Sequence, residues 1–378
     1  MIQNQKQSIS LHLQSKRKHF FCLLIMELRL LQANNGDAIH LKFRDELGTP
    51  CNILIDGGTS DTYILKNKKN KIQSGNLKIT VEQIKANEEF IDLLILTHVD
   101  DDHIGGILKW FAQDSQAKDL VRKVWFNSGR LIFEYFQQKE IPENLLIIKN
   151  DHSQNTSIAQ GVIFEDYIEE KNIWDKRIIK SKNEINLLGL KFIILSPSEK
   201  QLKMLLTKWE KESPIVNTSR INDYSVSLSE LITLDVYSED SSIHNGSSIA
   251  FIVENLDKRL LFLGDAHPQT IIDSLMNLGY SAQNPLKVDF VKISHHGSKA
   301  NTNYDLLNLI ESENFLISSD GSKHNLPDKQ CLARIINSKK KVNLYFNYLD
   351  LASQIFSKQD VKDFPNFRIC DAQKQIVI

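Results

Sequence analysis

The run Thr97-His98-Val99-Asp100-Asp101-Asp102-His103-Ile104-Gly105-Gly106 constrains this chain more than any other feature. Two imidazoles and three carboxylates fall within positions 98–103, directly after the apolar run FIDLLILTH (90–98), which reads as a buried strand. Carboxylates crowded at one strand mouth repel each other unless a cation neutralises them. Imidazole with carboxylate is the donor set of divalent catalytic metals. A solvated acidic loop with two incidental histidines is the bland alternative. It leaves unexplained why the cluster follows a buried strand and precedes a glycine pair. Beyond it, Ile104, Ile107, Leu108 and Phe111 recur at helical spacing, so a helix starts at the acidic residues.

Strand, polar tip and helix then repeat along the chain. ELRLLQA (27–33) and DAIHLKF (37–43) flank the hairpin-type turn Asn34-Asn35-Gly36. NILIDGG (52–58) is a strand ending in a glycine pair, and the lysine-rich stretch 66–79 reads as loop. Strands recur at SSIAFIVEN (247–255), RLLFLGD (259–265), VDFVKISHHGS (288–298) and FLISS (315–319). Helices are expected at about 198–213, 268–279 and 303–312. The middle, about 112–240, carries apolar runs at 121–126, 144–149 and 190–197 but no motif, and reads as an inserted segment capping the site. The rest of 26–378 reads as one domain.

With 378 residues, 41% hydrophobic and 25% charged, the chain has the composition of an ordinary globular protein. Its formal charge of −1 supplies no global basic field for nucleic acid, although a local stripe would suffice. The cysteines (Cys22, Cys51, Cys331, Cys370) form no CxxC pair and suggest a reducing compartment. KRKHFFCLLI (16–25) mimics a signal peptide, but Glu27 and Arg29 cut its apolar run short. The run is too short to span a membrane. Residues 1–25 are therefore expected to be an N-terminal extension, not native structure, and the protein to be cytoplasmic.

The motif resembles the HxHxDH signature of metallo-β-lactamase-fold hydrolases in its HxDxDH variant, typical of the soluble domain of the ComEC DNA-uptake family. The resemblance continues in order: Leu54-Ile55-Asp56-Gly57-Gly58, the run from His244 to Ala250, Phe262-Leu263-Gly264-Asp265, Val291 to Ser298 with its HHGS, and Ser318 to Pro327 containing His324. It covers about 27–110 and 244–330. It implies an αββα four-layer sandwich with two divalent ions, manganese or zinc. It also implies a ligand scheme. His98, Asp100 and His244 would hold the first ion, Asp102 and His103 the second, and Asp265 would bridge, with Asp56 bracing the metal loops. His324 is favoured as the last ligand, although His295 or His296 could reach; one of these two could instead donate a proton or touch phosphate. Asp100 in place of a histidine substitutes a hard oxygen for a nitrogen, which moves the preference away from strict zinc.

Such a centre implies hydrolysis by a hydroxide shared between two metals about 3.5–4 Å apart, with Asp102 or Asp265 orienting it or taking its proton. A phosphodiester of DNA, RNA or a nucleotide fits best. Lys292, Ser298, Lys299 and Lys323 are candidate phosphate contacts, and the 66–79 lysines with Lys339-Lys340-Lys341 could extend a polyanion path. Each lysine taken singly is more simply a solvated charge. Two other readings stay open: hydrolysis of a lactone, thioester or similar small molecule, and a non-catalytic, metal-stabilised component of a multi-protein, defence-type system. Aromatics of the middle segment, such as Trp125, Phe126, Tyr135, Phe136 and Trp174, read first as core.

Overall fold

Leu28 and Leu30 alternate with Glu27 and Arg29, so strand β1 (Glu27–Leu30) buries one face only. It pairs antiparallel with β2 (Ile39–Arg44) across the Asn34-Asn35-Gly36 turn, in the register Glu27↔Lys42 to Leu30↔Ile39. In the computed structural model, which describes residues 26–66, 71–136, 157–209 and 222–378, the chain continues through β3 (Pro50–Ile55), β4 (Leu93–Ile95), β5 (Val124–Trp125), β6 (Glu184–Leu187), β7 (Leu190–Ser196), β8 (Ala250–Asn255), β9 (Lys258–Phe262), β10 (Phe290–Lys292), β11 (Asn314–Ile317), β12 (Val342–Phe346), β13 (Phe367–Asp371) and β14 (Ile376–Val377). Two large sheets form: β14-β1-β2-β3-β4-β5, and β13-β12-β11-β10-β9-β8-β7-β6.

The side-chain period of two sorts residues into layers. Ile53, Ile55, Leu93 and Ile95 face Phe192, Ile194, Phe251, Val253, Leu260 and Phe262 across the gap between the sheets. Leu54 and Leu94 point the other way, onto helices α1 (Asn76–Ala86), α2 (Asp101–Gln113), α3 (Ser157–Glu170) and α4 (Glu199–Trp209). On the second sheet, Ala250, Ile252 and Leu261 point outward onto α5 (Pro268–Asn277) and α6 (Lys329–Ser338). The result is the expected αββα sandwich, held by burial worth roughly 1.5–3 kcal/mol for each large apolar side chain. Parallel pairing of β3 with β4, and of β9 through β13, brings several strand ends to one rim.

Several expectations are adjusted. Of the stretch 66–79, residues 67–70 lie outside the described residues; Ile72–Ser74 pairs with Ile64–Lys66, and α1 begins at Asn76, where Leu77, Val81 and Ile84 bury an apolar face among polar neighbours. The middle segment supplies β5 to the first sheet and β6 and β7 to the second, so over its described residues it is part of the sandwich's frame. The apolar run 144–149, Cys22 and the 1–25 extension lie outside the described residues. Trp125 packs edge-on against Phe192 in the inter-sheet core, and Phe126 packs against Phe164. Among the described residues, no helix is long and apolar enough to cross a membrane.

Candidate metal centre

Each chemically active side chain leaves the rim at a strand end or helix start. Asp56 follows β3, His98 follows β4, Asp265 follows β9, and His295 and His296 follow β10. Asp100 caps α2, with Asp101 and Asp102 in its first turn, where the helix N-terminus favours negative charge. The two glycine pairs explain how α2 reaches the site. Gly57 N–H donates to His103 O (2.7 Å) and Gly106 N–H to Gly58 O (2.8 Å). A Cβ on Gly106 would stand 2.0 Å from Gly57 O, so only glycine lets the helix settle onto the Asp56 turn.

Asp56 is buried and fully engaged. Its Oδ1 accepts from Thr97 N–H (2.7 Å), and its Oδ2 from Thr97 Oγ1 (2.7 Å) and His103 Nδ1 (2.8 Å). His103 therefore bonds Asp56 through Nδ1 and turns its Nε2 inward. His103 Nε2 lies 3.4 Å from Asp265 Oδ2, His98 Nε2 lies 3.7 Å from it, and His296 Nε2 3.8 Å. His296 Nε2 is also 3.9 Å from Asp102 Oδ2, and His98 Nε2 is 3.7 Å from Asp100 Oδ2. His244 joins through Asp100, its Nδ1 being 2.7 Å from Asp100 Oδ1.

Nε2 of His98, His103, His244 and His296 and Oδ1 of Asp265 are buried without a hydrogen-bond partner. Leaving so many polar atoms unpaired is costly unless something else engages them. Separations of 3.4–3.9 Å are too long for direct hydrogen bonds and leave room for ions between the atoms. The donor set of histidine nitrogens and carboxylate oxygens thus fits divalent metals. Three overlapping groups of candidate ligands stand out: His98, His103 and Asp265; Asp102, His103 and His296; and Asp37, Asp56 and His103.

The electrostatics show a deficit of positive charge. Burial works to raise the pKa of Asp265, but His103, His296 and His295 outweigh it and hold the carboxyl well below its usual range. Burial works to lower that of His103, yet Asp265 and Asp56 raise it well above the ordinary imidazole value. His295 behaves likewise: Asp265 and Asp240 overcome burial and lift it to about 9. His98 is pushed down by burial and by its neighbour His103.

The structure separates the late histidines. His296 meets the carboxylates; His324 sits on an exposed loop and belongs to none of the candidate ligand groups among the described residues. Left-handed backbone at His295 (φ 47°) and His296 (φ 54°) turns the two rings to different partners. His295 Nδ1 lies 2.9 Å from Asn301 Oδ1 and 3.5 Å from Asp240 Oδ2, and its Nε2 is 3.9 Å from Asp265 Oδ2.

The candidate phosphate contacts divide as well. Lys323 is half-exposed, with Nζ 3.9 Å from Asp102 Oδ2, at the mouth of the cluster. Lys292 is a correction: its ammonium is buried in an ion pair with buried Asp37 and presents no face to a substrate. Ser298 is also buried, its hydroxyl accepting from Ala300 N–H (3.2 Å). Lys299 is half-buried, its backbone N–H held by Asp328 (2.8 Å). Lys339-Lys340-Lys341 line a groove of about 1120 Å³ with Arg259, Lys287 and Glu313, at the starts of β9–β12. The centre lies at the opposite ends of those parallel strands, so these lysines do not continue a path from it. Lys341 is moreover paired with Glu313, and Lys339 Nζ donates to Leu307 O and Ile310 O. Asn35, Asp37, Thr97, Asp240 and Asn301 were not anticipated. Asp37 sits in the turn run Asn35-Gly36-Asp37, which reads as turn chemistry and hides any other role.

Residues 48–167 match the metallo-beta-lactamase superfamily model, a stretch that includes Asp56 and the 97–106 run. No curated protein matches the chain in sequence. Among solved structures, the metallo-beta-lactamase fold protein YhfI from Bacillus subtilis aligns over 94% of this chain and 99% of its own, at 10% identity and TM-score 0.41. CmlA, a diiron beta-hydroxylase from Streptomyces venezuelae, aligns over 94% of this chain and 54% of its own (10% identity, TM-score 0.40). A long form RNase Z from yeast aligns over 94% and 48% (10% identity, TM-score 0.37). The chain thus spans about half the length of the latter two.

Proposed function

We propose that this protein is a metal-dependent phosphodiesterase, a nuclease or nucleotide hydrolase, whose centre takes two divalent ions, manganese or zinc. The observation that carries the reading is the buried Asp265 carboxylate ringed by the unpartnered Nε2 atoms of His98, His103 and His296. In this reading His98, Asp100 and His244 would hold the first ion and Asp102, His103 and His296 the second, with Asp265 available to either. Bound there, two ions supply Lewis acidity, an activated water and a clamp on the scissile group.

The chain's own residues do the rest. Asp56 and Thr97 fix His103. Asp102 and Asp265 are the carboxylates placed to orient an attacking water or take its proton. His295, a quarter exposed and tethered by Asn301, turns Nε2 toward the cavity as a hydrogen-bond partner for substrate. Lys323 meets negative charge at the entrance, which favours a phosphodiester over a neutral lactone or thioester. The test is to incubate metal-loaded protein with single-stranded DNA, RNA and cyclic nucleotides, beside nitrocefin and a lactone. Turnover of at least one phosphodiester, lost in Asp265→Asn, is expected. Metal-loaded protein that cleaves none of them, or cleaves only the lactone or nitrocefin, would overturn the reading.

A further inference from the structure

We propose that the Asn35-Gly36-Asp37 turn, beyond closing the β1–β2 hairpin, is the ligand-positioning floor of the second metal site, and that Asp37 with Lys292 sets the direction of His296. The inference rests on the two-ion reading above. Three consecutive residues each reach a ligand of that site. Asn35 Nδ2 donates to Asp102 Oδ2 (2.8 Å). Gly36 O accepts from Ser318 Oγ (2.7 Å), and Ser318 O lies 3.0 Å from His296 Nδ1. Asp37 N–H donates to Asp102 O (3.1 Å), and Asp37 Oδ1 lies 3.2 Å from His296 Nδ1.

His296 Nδ1 thus faces two acceptors, a backbone carbonyl and a carboxylate. Neither can donate, so the ring's proton sits on Nδ1 and its lone pair on Nε2. That nitrogen is the one looking at Asp102 and Asp265. Asp37 stands behind His296 as Asp56 stands behind His103, and the two carboxylates lie within 4.8 Å of each other. Carboxylate partners behind metal-bound histidines fix the tautomer and raise the basicity of the inward nitrogen.

A fully buried carboxylate so near Asp56 needs a counter-charge, and Lys292, equally buried on β10, supplies it. Asp37 Oδ1 is buried with no hydrogen bond of its own, and His296 Nδ1 stands 3.2 Å from it. A purely structural role would account for the ion pair but not for the aim of that second oxygen.

The experiment is titration of metal-free protein with Co²⁺, followed by absorption spectroscopy and by thermal melts without metal. The variants are N35A, which removes one donor at the half-buried rim, and the charge-balanced pair D37N with K292M, which leaves no lone buried charge. Wild type is expected to take up two ions. Each variant is expected to keep the first and bind the second about tenfold to a hundredfold more weakly, with the metal-free melting temperature little changed. Should the double variant fail to fold, N35A decides the matter alone. Folded variants that bind both ions as tightly as wild type would overturn this inference and leave the two-ion reading standing. Wild type that binds fewer than two ions would overturn that reading, and this inference with it.

Discussion

At the scale of single residues, the centre is recognisable by what its atoms lack. Four imidazole nitrogens (of His98, His103, His244 and His296) and Oδ1 of Asp265 are buried there without partners. His40, away from the centre, shows the opposite case. It is buried with Nε2 2.9 Å from Asn52 Oδ1, and burial pushes its pKa down to about 4, with Arg29 and Lys42 acting in the same direction against Glu89. The folded state therefore keeps His40 neutral, while the unfolded chain takes up a proton near the ordinary value of 6.5. Stability from this group is complete above that value and drains as pH falls toward the folded pKa. From pH 7 to pH 5 the loss attributable to His40 is about 2 kcal/mol. Urea unfolding at both pH values, for wild type and for H40Q, should show a smaller decline in the variant; equal declines would remove His40 as the cause.

At the scale of elements, the motifs legible in the sequence are those whose chemistry and backbone coincide. The helix from Asp101, the strand-to-Asp turns at Asp56 and Asp265, and the β1–β2 hairpin all announced themselves through period and turn residues. What stayed hidden depends on tertiary aim. Nothing in the order of residues says that His296 turns inward, because the left-handed backbone of the HHGS run decides it. Lys292 looked like a substrate contact because its charge is readable, whereas its burial against Asp37, 255 positions away, is not. The Asn35-Gly36-Asp37 turn read as hairpin chemistry alone. Gly36 belongs to the tertiary category as well: a Cβ there would stand 1.9 Å from Asp102 O, whereas one on Gly48 in the neighbouring β2–β3 turn would meet nothing within 4 Å. G36A should therefore cost about 3 kcal/mol or more through backbone displacement. G48A should cost only about 1 kcal/mol, from its positive φ. Denaturant midpoints of the two variants check the contrast; equal costs would mean the close approach is not enforced.

At the scale of the molecule, the centre is assembled from both sheets. Asp56, His98 and Asp102 come from the first sheet and its helix, and Asp265, His295 and His296 from the second. The stretch leading to Asp240 and His244 is pinned by two buried cations of α6. Lys329 Nζ donates to Val226 O (2.6 Å) and Asp360 (2.8 Å), and Arg334 grips Asp235 through two nitrogens (2.6 and 2.8 Å). The sequence could show that such parts existed and in what order, but their convergence depends on how the two sheets close on each other. The most direct test of that convergence is anomalous diffraction from crystals grown with Mn²⁺. Two peaks about 3.5–4 Å apart, flanking Asp265 with His98 on one side and His103 and His296 on the other, are predicted. Absence of ordered metal there, or peaks bound only elsewhere on the surface, would contradict the account.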